Sequence, residues 1–74
     1  MPHVSIRHFP AELTPEQESS LVAAVTRAVK DAFGCDEGVV SIALEAVEPD
    51  VWNEQVYLPE IVARSHLLRK TPNY

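Results

Sequence analysis

The sequence has one cysteine, two glycines, an excess of acid over base and no long apolar run. Each shortage removes a class of protein. A single Cys35 excludes an internal disulfide, and no Cys/His spacing reads as a zinc site, so no metal is expected. A chain of 74 residues buries only about 60% of its unfolded surface. Small scaffolds of this kind usually rely on disulfides, a metal or oligomerisation. With the first two missing, assembly with other copies is the expected source of stability. No basic leader precedes an apolar stretch, and no run approaches the roughly 20 apolar residues that span a bilayer. The expected location is the cytoplasm. Six Lys and Arg stand against eleven Asp and Glu, a net charge of −5. That balance argues against nucleic acid or an anionic membrane as main partner, since both reward a basic surface. Neither a repeat, a low-complexity tract nor a linker is present, so residues 1–74 read as one domain.

What is present is 46% apolar content, ample for a core plus an interface. From Pro2 to Phe9 the residues alternate, with Val4, Ile6 and His8 on one side and His3, Ser5, Arg7 and Phe9 on the other. A period of two with β-branched residues predicts a strand. "PAELTPEQ" breaks it. Thr14 is placed as an N-cap, Pro15 fits the first helical position, and Gln17 completes a capping box. Glu16 and Glu18 lie in the first turn, where the helix dipole favours acids. Leu21, Val25, Ala28 or Val29, and Ala32 recur at three- and four-residue steps, widened by Val22 and Phe33. Gly34 ends this helix.

"GVVSIALEAV" predicts a second strand, with Val40, Ile42 and Leu44 on one face and Ser41, Ala43 and Glu45 on the other. "EPDVWNEQ" reads as a turn carrying Trp52. From Leu58, "LPEIVARSHLLRK" predicts a second, shorter helix with Glu60 and Arg64 as an i,i+4 pair, and "TPNY" is a tail. Strand, helix and strand at these lengths form a βαβ unit with parallel strands in right-handed connection. The expected class is α+β. A two-stranded sheet is not independently stable, so dimerisation is expected to complete it.

The opening "MPHVSIRHFP" poses a chemical question. An initiator Met before a residue as small as Pro is a good substrate for removal. The mature chain would then begin with a secondary amine at Pro2. Pro2 also fits the first position of a strand, where its missing N–H costs nothing.

A Pro directly after Met, a strand, an amphipathic helix, and "VVSIALEAV" followed by "EPDVW" together resemble the 4-oxalocrotonate tautomerase family. The closing "VYLPEI" and "RKTPNY" are similar to its longer members, and the resemblance covers nearly the whole chain. It implies that Pro2 is a catalytic general base in a cofactor-independent keto–enol isomerase. An unperturbed α-amino group titrates at about 7.7–8.0, near the pH at which a base has to work. The resemblance also implies two arginines that clamp substrate carboxylates. The position after the first strand falls on Glu12 or Leu13, and the second-strand position falls on Ser41. The family's aromatic wall falls on Trp52. Base and aromatic are present; both clamps are absent.

Arg7 lies on the strand that Pro2 begins, at odd parity, and enters as a substrate-binding candidate through a pocket shared with a neighbouring subunit. Ser41 and Trp52 are the other substrate-binding candidates. Arg64 is a weaker one. Arg27, Lys30, Arg69 and Lys70 read as solvated helix charges. His3 has two readings, as a group that polarises a carbonyl or tunes the amine, and as a strand residue facing a subunit contact. His8 stands roughly 20 Å along the strand from Pro2 and so cannot share its substrate atom within one chain. His66 reads as helix surface and Cys35 as a loop residue.

The expected function is tautomerisation of small enolisable carbonyl compounds, with monocarboxylate or aryl enols favoured and Met1 removed. The alternatives are a hydratase, dehalogenase or decarboxylase of the same superfamily, or an oligomerising scaffold without activity. No cofactor is expected, and the partners expected are the substrate and further copies of the chain. A homodimer is favoured over the hexamer of the family's short members.

Overall fold

The computed structural model describes every residue from Met1 to Tyr74. It contains a strand β1 (His3–His8), a helix α1 (Pro15–Phe33), a parallel strand β2 (Ser41–Ala46) and a C-terminal π-helix (Asn53–Val62). Single 3₁₀ turns lie at Glu37–Val39, Pro49–Val51 and Ser65–Leu67. No helix is long and apolar enough to cross a membrane.

The strands pair from His3 opposite Ser41 to His8 opposite Ala46. Ser41 N–H donates to the Pro2 carbonyl at 3.2 Å and Val47 N–H to the His8 carbonyl at 2.8 Å, extending the ladder at both ends. Alternation along β1 leaves Val4, Ile6 and His8 half-buried and His3, Ser5 and Arg7 exposed; in β2, Ile42 and Leu44 are half-buried and Ser41, Ala43 and Glu45 exposed. The half-buried stripe of α1 is Leu21, Val25, Thr26 and Val29. Apolar helix stripe and apolar sheet face cover each other. Val22 and Phe33 were expected to widen that stripe, yet both are exposed, Phe33 at 72%.

The ends of α1 are set by the residues that the sequence marks. Thr14 accepts from Gln17 N–H at 3.1 Å and Gln17 Oε1 accepts from Thr14 N–H at 2.9 Å. A cap of this kind contributes about 1 kcal/mol. Gly34 adopts φ 63, the left-handed conformation that ends the helix without a Cβ penalty.

The C-terminal helix corrects the reading from sequence. It begins after Trp52, five residues before Leu58, and ends at Val62 instead of running on to Lys70. Its cause is Pro59. In an α-helix Pro59 would leave the Gln55 carbonyl without a donor and drive its ring into that carbonyl. Wide i→i+5 turns relieve the clash; Ala63 N–H accordingly donates to the Leu58 carbonyl at 3.0 Å. The predicted Glu60–Arg64 pair is also absent, because the helix ends at Val62 and Arg64 has left helical backbone, at φ −116 and ψ 28. Glu60 pairs with Arg7 instead.

One chain alone is poorly buried. Only Val47, at 4% exposure, and Val56, at 6%, are buried. The accessible surface is 5845 Å², against about 4,500 Å² for a compact monomer of this mass. The radius of gyration is 13.9 Å, where roughly 11 Å is normal for this length. The extents, 36 × 32 × 19 Å, describe a plate.

Candidate active site

Pro2 lies at the head of β1, and its surroundings follow from the βαβ connection. The crossover brings the last turns of α1 back to the start of β1. The result is a shallow cleft of about 330 Å³ lined by Met1, Pro2, His3, Val4, Val29 and Phe33. Its side-chain walls are apolar and no Lys or Arg lines it; alternation along β1 turns the His3 side chain to the opposite face of the sheet, the face of Ser5 and Arg7. With Met1 attached, the Pro2 nitrogen is an amide and has no basic lone pair; with Met1 removed, it becomes a secondary amine at the mouth of the cleft.

His3 is not free to turn. Its Nδ1 lies 2.7 Å from Ser41 Oγ, across the strand pair. Strand register places them opposite each other. The sequence gives no hint of this contact, because register between two strands is not written in either one. Ser41 reaches Pro2 through its backbone, its N–H donating to the Pro2 carbonyl at 3.2 Å, while its side chain sits with His3 on the exposed sheet face.

Trp52 is elsewhere. It packs edge-to-face on Phe9 with ring centroids 5.1 Å apart. Together with Tyr74 these rings line a second cleft of about 490 Å³. Phe9 follows the last residue of β1 and Pro2 precedes the first, so roughly 20 Å of strand separates the two clefts within one chain. Tyr74 also packs on Tyr57 at 5.8 Å, which folds the tail down onto the C-terminal helix. Phe9 and Tyr74 as partners of Trp52 had no local signal in the sequence.

Arg7 is placed on the exposed sheet face, away from Val4 and Ile6. Its Nε meets Glu45 Oε1 at 3.1 Å and its Nη1 meets Glu60 Oε2 at 2.8 Å. Nη1 also donates to the Gln55 carbonyl at 3.0 Å. Nη2 has no partner. Arg7 thus ties the C-terminal helix to both strands. The guanidinium side chain is 35% exposed, and exposed ion pairs are worth about 0.2–1 kcal/mol each. Arg7→Ala is expected to destabilise the fold by about 1–2 kcal/mol, read as a lower urea midpoint at fixed protein concentration. An unchanged midpoint would show that the three contacts contribute nothing.

The remaining cations fit the solvated reading: Arg27, Lys30, Arg64, Arg69 and Lys70 are all exposed and none forms an ion pair. A further recess, about 550 Å³, is an open furrow along α1 between Arg27, Lys30, Asp31 and Glu37, and neither Pro2 nor Trp52 lines it. Cys35 is half-buried after Gly34 and unpaired. No three His, Cys, Asp or Glu side chains converge as a metal site.

Comparison with known proteins gives the family. The family described as "Tautomerase enzyme" matches residues 2–57, beginning at the proline. Tautomerase PptA of Klebsiella pneumoniae is 43% identical over 74 residues, spanning 100% of this chain and 97% of the relative. Tautomerase PptA of an Enterobacter species is 36% identical, and that of Pectobacterium carotovorum subsp. carotovorum 32%, over the same spans. Match and relatives cover the βαβ unit, the Pro2 cleft and, for the relatives, the tail. The chain belongs to the tautomerase family, as a PptA-like member.

Proposed function

We propose that this protein is a cofactor-independent keto–enol tautomerase in which Pro2, freed of Met1, is the general base. The observation that carries the reading is the position of Pro2: a proline one residue into the chain, at the head of β1, in a cleft walled by Val4, Val29 and Phe33. An apolar wall disfavours the protonated form of an amine, the direction a base working near neutral pH requires. The ring fixes the lone pair, so the base points one way. It takes a proton from the carbon next to a carbonyl and returns it to oxygen, or runs the transfer in reverse.

Substrates are small enolisable carbonyl compounds, with monocarboxylate or aryl enols preferred. The cleft suits a flat apolar group and has no arginine for a second carboxylate. Trp52, roughly 20 Å from Pro2 within one chain, serves as an aromatic wall supplied by a second copy, and Ser41 adjoins Pro2 through its backbone N–H. Arg7 keeps Nη2 for a substrate carboxylate where a second copy of the chain completes the pocket. That copy makes a homodimer, and the working location is the cytoplasm.

The test begins with an intact mass, which shows that Met1 is gone, and continues with matched enols followed by ultraviolet absorbance. Without metal or nucleotide, phenylenolpyruvate is expected to ketonise. Its kcat/KM should exceed that of a dicarboxylate dienol by at least about tenfold, the scale of one missing charged hydrogen bond. Preference for the dicarboxylate would show that a cation reaches the site.

A further inference from the structure

From the lining of the Pro2 cleft we infer that Phe33 is the residue that selects aryl substrates: its phenyl ring packs against the aryl group and holds the neighbouring carbon at Pro2. This deepens the proposed tautomerase reaction and rests on it.

An aryl enol limits where such a residue can stand. In phenylenolpyruvate the ring is bonded to the carbon that gains the proton on ketonisation. The Pro2 nitrogen has to come within about 3–3.5 Å of that carbon. Aromatic rings in contact keep their centroids about 4.5–7 Å apart. A side chain that grips the aryl group therefore lines the same cleft as Pro2. Trp52, beyond the far end of β1, meets that condition only from another copy. Phe33 meets it within the chain, since it lines the Pro2 cleft together with Val4 and Val29.

Three further observations single out Phe33. One Trp, two Tyr and two Phe are all the aromatic residues of the chain. Phe9 pairs with Trp52 and Tyr57 with Tyr74, which leaves Phe33 as the one ring without an aromatic partner. Phe33 is also 72% exposed, although Val29, four residues back and so on the same helix face, is half-buried. The apolar stripe of α1 thus runs past the sheet and ends in a ring at the cleft, where Gly34 stops the helix. Last, the fully exposed Met1 lines the same cleft. Its removal frees the amine and clears one wall of the recess that Phe33 lines. A flat aryl group entering there takes its own surface and that of Phe33 out of water together.

The test uses Met1-free protein and two enols, phenylenolpyruvate and hydroxypentadienoate, an aliphatic monocarboxylate dienol. Phe33→Leu keeps an apolar side chain but has no ring. It is expected to raise KM for phenylenolpyruvate about tenfold with little change in kcat, the pattern of lost binding common to ground and transition states. For hydroxypentadienoate the rise should be about twofold. Phe33→Tyr keeps the ring and should stay within about threefold of the parent on phenylenolpyruvate. Equal effects of Phe33→Leu on both enols, or a Tyr variant that falls as far as Leu, overturn the role of Phe33. So does a loss of the aryl enol in Trp52→Leu with none in Phe33→Leu. Light scattering on each variant exposes an interface role: both enols lost alike, together with the oligomeric mass, would make Phe33 a subunit contact only. Should the parent take the aryl enol alone, the contrast between Leu and Tyr decides; should it take the aliphatic dienol alone, the inference is overturned. A parent that turns over neither enol removes the tautomerase reading itself, whereas an active parent with an indifferent Phe33→Leu variant sinks this inference alone. Circular dichroism checks that the variants fold, as the exposure of Phe33 leads one to expect.

Discussion

A chain that keeps Met1, or carries a tag ahead of Pro2, is expected to lose tautomerase activity almost completely. The nitrogen of Pro2 is then an amide, and an amide offers no basic lone pair. Pro2→Ala is the gentler change. After Met1 removal it presents a primary amine in the same place, still basic but free to rotate and without the ring that directs the lone pair. The expected loss in kcat/KM is about 10² or more, the usual scale for a general base. The tagged chain should fall further than the Ala variant. That order is itself diagnostic, since a base elsewhere in the molecule would be indifferent to the chemistry of the N-terminus. Full activity in the tagged chain, confirmed by intact mass, would remove Pro2 from the mechanism.

The second large effect concerns assembly. One chain exposes about 1,300 Å² more than a compact monomer of its mass, from an accessible surface of 5845 Å². A standard interface removes about 800 Å² from each partner. Phe33, Leu58, Val62 and Leu67 are among the large apolar side chains left in water. Each aliphatic side chain buried contributes about 1.5–3 kcal/mol, so a handful reaches on the order of 10 kcal/mol before association costs. Folding and pairing are thus expected to be one event. Light scattering at micromolar concentration should give about 16 kDa, twice the chain mass of 8.2 kDa, and Tm should rise with protein concentration. The tail, held on Tyr57 by Tyr74, covers part of the C-terminal helix and favours two copies over six. A folded monomer would overturn the argument, and a hexamer would show that the tail does not limit growth.

The sequence carried the βαβ unit because its signals are local. The Thr14–Gln17 box, Pro15 and Gly34 each act within one turn, and strand alternation acts within one strand. The C-terminal helix was not legible in the same way. Helix rules assume 3.6 residues per turn and treat Pro59 as a boundary. The chain passes through Pro59 with wider turns, and Arg7, 48 positions away, donates to the Gln55 carbonyl. Arg7 was legible as a cation facing away from Val4 and Ile6. Its ties to Glu45 and Glu60 were not, since they depend on register and on where the last helix lies. Pro2 could be singled out from its place in the chain. The contact of Ser41 with His3 needed the pairing of β1 with β2, which no single strand encodes.

The two-stranded sheet has a consequence beyond catalysis. β1 and β2 each keep one unpaired edge, a row of backbone donors and acceptors open to any extended peptide. Two-fold pairing through one edge closes that edge in both copies but leaves the other pair facing outward, where further copies could add without end. Growth of that kind is opposed here by electrostatics. With five more acidic than basic charges on every chain, each added copy brings its own repulsion. That protection fades as the medium approaches the isoelectric point near 5.0. Colloidal behaviour on mild acidification is therefore governed by the open strand, and storage well above that pH keeps assemblies finite.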